Sequence, residues 1–188
     1  CVRLDSHAIE DAEDPLYLEE RIAEILEGLG IGPDQCAIIL DFGDLTTRAL
    51  ADVLDQADGV MKILAPMKFK GFVTAGCSLP STIDAAVKDH DSTGKVVRKE
   101  MLLWQTLRAQ YPDVLLRYGD YGVRGPNSVD DVIAPDANGK IRHTITQSFY
   151  VLRGHSMRRG NKSAQMYELA DDLVNSQDFM GEGFSWGD

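Results

Sequence analysis

Five aspartates stand at the ends of short apolar runs. Asp5 follows Val2-Arg3-Leu4, Asp41 and Asp44 close the run AIILDFGD, Asp120 sits in LLRYGDYGV, and Asp188 ends the terminal Gly-Asp. Carboxylates grouped in this way repel, so they share a proton or a cation. Hard oxygen ligands suit Mg²⁺, Mn²⁺ or Ca²⁺. Asp41 and Asp120 are therefore the candidate ligands for a divalent metal such as Mg or Mn. With Arg153 they are also the candidate catalytic groups, as general acid and base beside a cation. Each aspartate has a plainer reading as well. Asp44 caps the helix that follows it, and Asp120 satisfies the amides of its own turn.

The second constellation is basic. Residues 153–162 read RGHSMRRGNK, four cations and a histidine interleaved with glycine ahead of a helical pattern. Backbone amides, a helix N-terminus and arginine forks together suit an anion. Arg153 would hold the anion, with Gly154, His155, Arg158 and Arg159 around it. Asp44 and Gly119 would complete the ligand site from neighbouring strand ends. A solvated loop that offsets an acidic surface is the competing reading for Arg158, Arg159 and Lys162. Other candidates are weaker. Arg98, Glu100 and His90 read as surface ion-pair residues, His143 as a hydrogen-bonded sheet residue, and Cys77 as a small core residue. No HxxxH, GxSxG or P-loop is present.

These residues need elements to position them. Apolar runs at Ala37–Leu40, Gly71–Thr74, Val114–Tyr118 and Phe149–Leu152 each stop at a glycine with Asp, Arg or Thr nearby. Helical spacing precedes the first, through Leu18, Ile22 and Leu26, and separates the first three, through Val53, Ala57 and Met61, then Val97, Met101, Trp104 and Leu107 over Lys95–Gln110. That is the pattern of βα units with ligand groups at the strand C-termini. All four runs are expected in one sheet, the first three mutually parallel. Val123 to Gly139, rich in Gly, Pro, Asp and Asn, reads as an excursion. Lys140–Thr146 and Phe149–Leu152 are expected as an antiparallel, hairpin-like pair. The last helix, Ser163–Val174, is expected to turn Met166, Tyr167, Ala170, Leu173 and Val174 inward. The fold class is α/β with mainly parallel βα repeats; four units make half of a (β/α)₈ barrel, and an open doubly wound sheet fits the length, though no G-x-G-x-x-G follows the first strand. The whole, residues 1–188, reads as a single domain and, with no initiator Met, as a fragment of a longer protein.

Composition bounds the partners. The net charge is −11, which disfavours non-specific nucleic-acid binding. Cys1, Cys36 and Cys77 are odd in number and widely spaced, as expected for reduced thiols in a cytoplasmic protein. No apolar run approaches the ~18 residues of a membrane span.

The ordered set LDFGD, TAGCSLP, a helix bearing Arg98, Glu100 and Leu103-Trp104, then YGDYG, IRHT, YVLRG and GFSWGD resembles the beta protein family, named for a protein of a T-even bacteriophage. The resemblance spans nearly the whole chain and matches a C-terminal portion of longer members. It implies the C-terminal half of a TIM-barrel-like (β/α) fold and a phage or phage-defence setting, and it carries over no catalytic residue. Two functions are thus expected. One is binding of a small phosphate-bearing ligand at the strand C-termini. The other is a non-catalytic role through a protein partner, or through the missing N-terminal half.

Overall fold

The computed structural model describes residues 1–10, 15–122, 138–156, 162–181 and 183–184. In chain order the elements are β1 (Val2–Leu4), α1 (Ser6–Glu10), α2 (Pro15–Leu29), β2 (Ala37–Asp44), α3 (Leu50–Leu64), β3 (Gly71–Cys77), α4 (Ile83–Ala86), β4 (Ser92–Val97), α5 (Lys99–Gln110), β5 (Leu116–Tyr118), β6 (Asn138–Thr144), β7 (Ser148–Ser156) and α6 (Lys162–Val174). Contacts divide the chain into two compact units. One comprises Cys1–Cys77 with Lys99–Tyr121, the other Ser78–Arg98 with Gly122–Asp188. The architecture is mixed α/β, with a four-stranded parallel sheet and a three-stranded antiparallel sheet.

The first unit holds the parallel sheet, in the order β1-β2-β3-β5. Parallel neighbours need crossover connections, and these are right-handed. When strands are added in sequence toward one edge, that handedness places every crossover helix on the same face. The helices α2, α3 and α5 accordingly share one core with the strands. It contains Ile22 and Leu26 from α2, Val53, Ala57 and Met61 from α3, and Leu103 and Leu107 from α5. Leu4, Ile38, Leu40, Phe72 and Leu116 meet them from the sheet. The three expected parallel strands are therefore found as expected.

The fourth expected strand is not part of that sheet. β7, which contains Phe149–Leu152, is the centre of the antiparallel sheet β4-β7-β6 in the second unit. The reason lies in residues 95–97, which extend the helical pattern of α5 backwards on paper. Val96 and Val97 are β-branched and favour a pleated strand. Ser92–Val97 also alternates half-buried and exposed positions, the period of a strand. Once β4 forms, β7 has an antiparallel partner on each side, and α5 begins at Lys99. The antiparallel pairing of β6 with β7 agrees with the sequence reading.

The face of α6 also differs from expectation. Gln165, Leu169 and Leu173 are buried, whereas Tyr167 is 78% exposed and Met166 and Val174 are exposed as well. Gln165 fixes this phase. Its Oε1 accepts the backbone N–H of Gly139 at 2.9 Å. It fits because two strands have no side chain there, since a Cβ at Gly154 would lie 2.7 Å from that oxygen and one at Gly139 closer still. Leu152, Leu169 and Leu173 then form a small apolar cluster in the unit, with Ile141, Tyr150 and Phe179 against it.

Candidate functional site

In a parallel α/β sheet the strand C-termini are where side chains from different strands meet. Asp41 occupies that edge on β2 and is 4% exposed. Gly43 follows with φ +62°, the left-handed bend that glycine adopts without strain. The bend brings the Gly43 N–H back to Asp41 Oδ1 at 3.0 Å. The other oxygen, Oδ2, accepts from Arg3 Nη2 of β1 and from the Tyr121 hydroxyl at 2.6 Å. Arg3 Nη2 also lies 3.2 Å from the Tyr121 oxygen.

Tyr121 comes from beyond β5, so its side chain must cross β3 to reach β2. Two small residues allow this. Ala75 is the β3 residue in register with Asp41. Gly119 brings the chain down onto β3, donating its N–H to the Thr74 carbonyl at 2.8 Å. A Cβ at Gly119 would stand 3.0 Å from Val73 Cγ1 and 3.1 Å from that carbonyl oxygen.

The cluster is electrostatically consistent. A buried carboxylate is costly unless cation and donors meet it, and Asp41 has one cation and two neutral donors. The bond and charge of Asp41 hold the Arg3 guanidinium above its ordinary value. Burial, then the hydrogen bond to Asp41, pushes the Tyr121 phenol up to about 12. Tyr121 is therefore a donor at neutral pH and not a base. Asp41, with Oδ2 doubly engaged, orients Arg3. The Arg3 side chain is 57% exposed. Its Nε and Nη1 make no hydrogen bond among the described residues.

The other expected site residues are placed as follows. Asp44 accepts from the Thr46 N–H at 2.9 Å and the Thr46 hydroxyl at 2.7 Å, a local turn cap. Asp120 is exposed and accepts from the Tyr118 hydroxyl at 2.7 Å. Arg153 belongs to the second unit and is 5% exposed. Its Nη1 donates to the carbonyls of Val87, at 2.8 Å, and Lys88, while Nη2 pairs with Asp84 at 2.5 Å. Those bonds pin the segment around α4 to β7, a structural use of the guanidinium. Gly154 houses Gln165, and His155 Nδ1 lies 3.1 Å from Asp91 Oδ1. Arg158, Arg159 and Asp188 lie outside the described residues. His143 is buried and accepts the Met180 N–H at 3.3 Å. Among the described residues no three His, Cys, Asp or Glu side chains gather as a metal cluster.

Arg3 and Tyr121 were the residues that motif reading passed over. A signal existed for each. Arg3 interrupts an apolar strand one position before Leu4, and Tyr121 is the second tyrosine of YGDYG.

A family model described as Beta protein matches residues 1–188, the full length of the chain. No curated protein matches it, and no solved structure does. Among the described residues no helix is long and apolar enough to cross a membrane.

Proposed function

For this chain, which belongs to the Beta protein family, we propose that the C-terminal edge of the parallel sheet binds a small phosphate-bearing anion through Arg3. One observation carries the reading. Arg3 is oriented by a buried carboxylate and a tyrosine hydroxyl, yet it keeps N–H groups and more than half of its side-chain surface toward solvent. A guanidinium held in one orientation loses less freedom on meeting a planar or tetrahedral oxyanion. A divalent cation such as Mg²⁺ or Mn²⁺ would accompany the phosphate, keeping several waters and one or two carboxylates. Asp120 and Asp44, both exposed near strand ends of this edge, are the residues for it. The strand order fits a segment of a (β/α)-barrel wall, with the rest supplied by a longer protein. A cytoplasmic, phage or phage-defence setting fits the family resemblance.

Thermal unfolding tests this. Inorganic phosphate and nucleotides, each with and without Mg²⁺ or Mn²⁺, should raise the Tm, since a ligand at ~100 times its Kd adds about 2.7 kcal/mol. Arg3→Gln should remove the shift. A Tm that no phosphate compound moves would remove the proposal.

A second reading is a non-catalytic role through a protein partner. Ile25 and Leu29, one helical turn apart on α2, are exposed while Leu18, Ile22 and Leu26 face the core. An apolar pair of that kind on an acidic helix suits a partner surface. It gains if phosphate compounds fail and Ile25→Lys abolishes an association that Arg3→Gln leaves intact.

A further inference from the structure

The second unit contains a cavity of about 110 Å³ between the start of β4, the end of β7 and α6. Its lining includes Asp91, Gln165, Glu168 and Asp172, with Leu152 and Leu169 as the apolar wall. Positions 165, 168, 169 and 172 follow the i, i+3, i+4, i+7 spacing of one helix face. Gln165 and Leu169 are buried on it, while Glu168 and Asp172 are exposed at its edge. Here three of its four residues are polar, and two of those are acidic.

Gln165 is the informative residue. It is 4% exposed, and its Oε1 is taken by the Gly139 N–H. That bond fixes which end of the carboxamide is oxygen. The amide nitrogen Nε2 therefore carries the two donors, and it has no partner among the described residues. Gln165 lines the cavity, with Oε1 held at the two glycines, so the donor end is the one left for a guest. Glu168 and Asp172 likewise form no ion pair among the described residues. The one cation lining the cavity, Arg153, is already matched by Asp84 at 2.5 Å. His155 is held beside Asp91.

We propose that this cavity binds a small ammonium compound carrying a nearby oxygen acceptor, an amino alcohol or an amino acid. The acceptor oxygen takes the Gln165 Nε2–H, and the ammonium group meets Asp91, Glu168 and Asp172. Leu152 and Leu169 set the short hydrocarbon between them. The volume suits a few heavy atoms and excludes a nucleotide. The site is independent of the anion site proposed at Arg3.

The test is an NMR titration of the ¹⁵N-labelled full chain, read at the Gln165 side-chain amide. The probes are ethanolamine, glycine, acetate and ethylene glycol. Saturable shifts at millimolar ethanolamine or glycine are expected, with none from acetate or ethylene glycol. Ethanolamine alone would indicate an amino alcohol, and tighter glycine binding an amino acid. The double variant Glu168→Gln/Asp172→Asn changes exposed residues, so the fold should hold, and it should weaken binding by about tenfold or more. Gln165→Glu keeps the acceptor for Gly139, removes the donor, and should weaken binding too. The absence of a saturable shift in the unmodified chain, equal binding of acetate, or unchanged affinity in the double variant would overturn the proposal.

Discussion

The hydroxyl of Tyr121 donates to Asp41 Oδ2 at 2.6 Å across β3, a strand to which neither residue belongs. The bond closes the C-terminal edge of the sheet from β5 to β2, and Arg3 extends it to β1. Tyr121→Phe removes the hydroxyl and little else. Its expected cost at pH 7 is about 1–2 kcal/mol by urea denaturation, since Asp41 keeps Arg3 and Gly43.

The same phenol gives a pH dependence with a definite sign. Its value in the folded chain, about 12, lies above the ordinary value of 10.0. A raised value favours the protonated form in the native state. The stabilisation is therefore complete below pH 10 and is lost as pH rises toward 12, on the order of 1 kcal/mol once solvent screening is allowed for. The difference in stability between the parent chain and Tyr121→Phe should shrink across that interval. A difference that stays constant from pH 8 to ~12 would show that the phenol is not held by Asp41.

Gln165 and its two glycines make a packing prediction. In Gly154→Ala the new methyl would stand 2.7 Å from Gln165 Oε1, so something must move. A loss of about 1–3 kcal/mol is expected. Gln165→Ala leaves the Gly139 N–H without its acceptor and should also destabilise. Combined, the two should cost less than their sum, because the shortened residue vacates the space that the methyl needs. Strict additivity in chemical denaturation would show that the two positions do not share that space.

This pair also shows where sequence reading stops. The three parallel strands were legible because Ile38, Phe72 and Leu116 lie in runs separated by strong helical stripes. The Asp41 edge was legible because an acid after an apolar run marks a strand end. The face of α6 was not, because Met166, Tyr167 and Val174 are more apolar than Gln165. Hydropathy cannot see that two distant glycines have opened a polar slot. Ser92–Val97 failed for a related reason, since its strand exists only where β7 supplies the hydrogen bonds. Arg153 was read as a ligand group because it ends an apolar run, and the local partners that hold it, Asp84, Val87 and Lys88, carry no signal in that run.

Trp104 packs at the sheet side of α5. Its Nε1 donates to the Leu116 carbonyl at 3.2 Å, its ring meets Tyr118 edge-on at 6.0 Å, and Arg108 lies 5.8 Å from the ring centre. It is half-buried. Trp104→Ala should still cost about 3 kcal/mol, the low end for a large aromatic, because a hydrogen bond goes with the packing. A loss below ~1 kcal/mol in urea titration would mean that the ring contributes surface and little else.

The two arginines separate structure from binding. Arg153 is buried, with two carbonyls and a carboxylate on its guanidinium. Arg153→Gln should lower the stability of the ligand-free chain by about 2–4 kcal/mol, since the backbone oxygens lose a charged donor inside the fold. Any Tm increase produced by phosphate compounds should persist in it. Arg3 is half exposed and sits outside the Asp41 carboxylate it pairs with. Arg3→Gln should cost less, because Tyr121 and Gly43 still donate to Asp41. It should abolish the phosphate-dependent increase. Arg3→Lys is the sharper variant. It keeps the charge but loses the planar fork, so a bidentate phosphate contact should weaken by tenfold or more while a diffuse electrostatic one would hardly change. Equal phosphate responses in the parent chain, Arg3→Lys and Arg3→Gln would place the anion elsewhere on the protein.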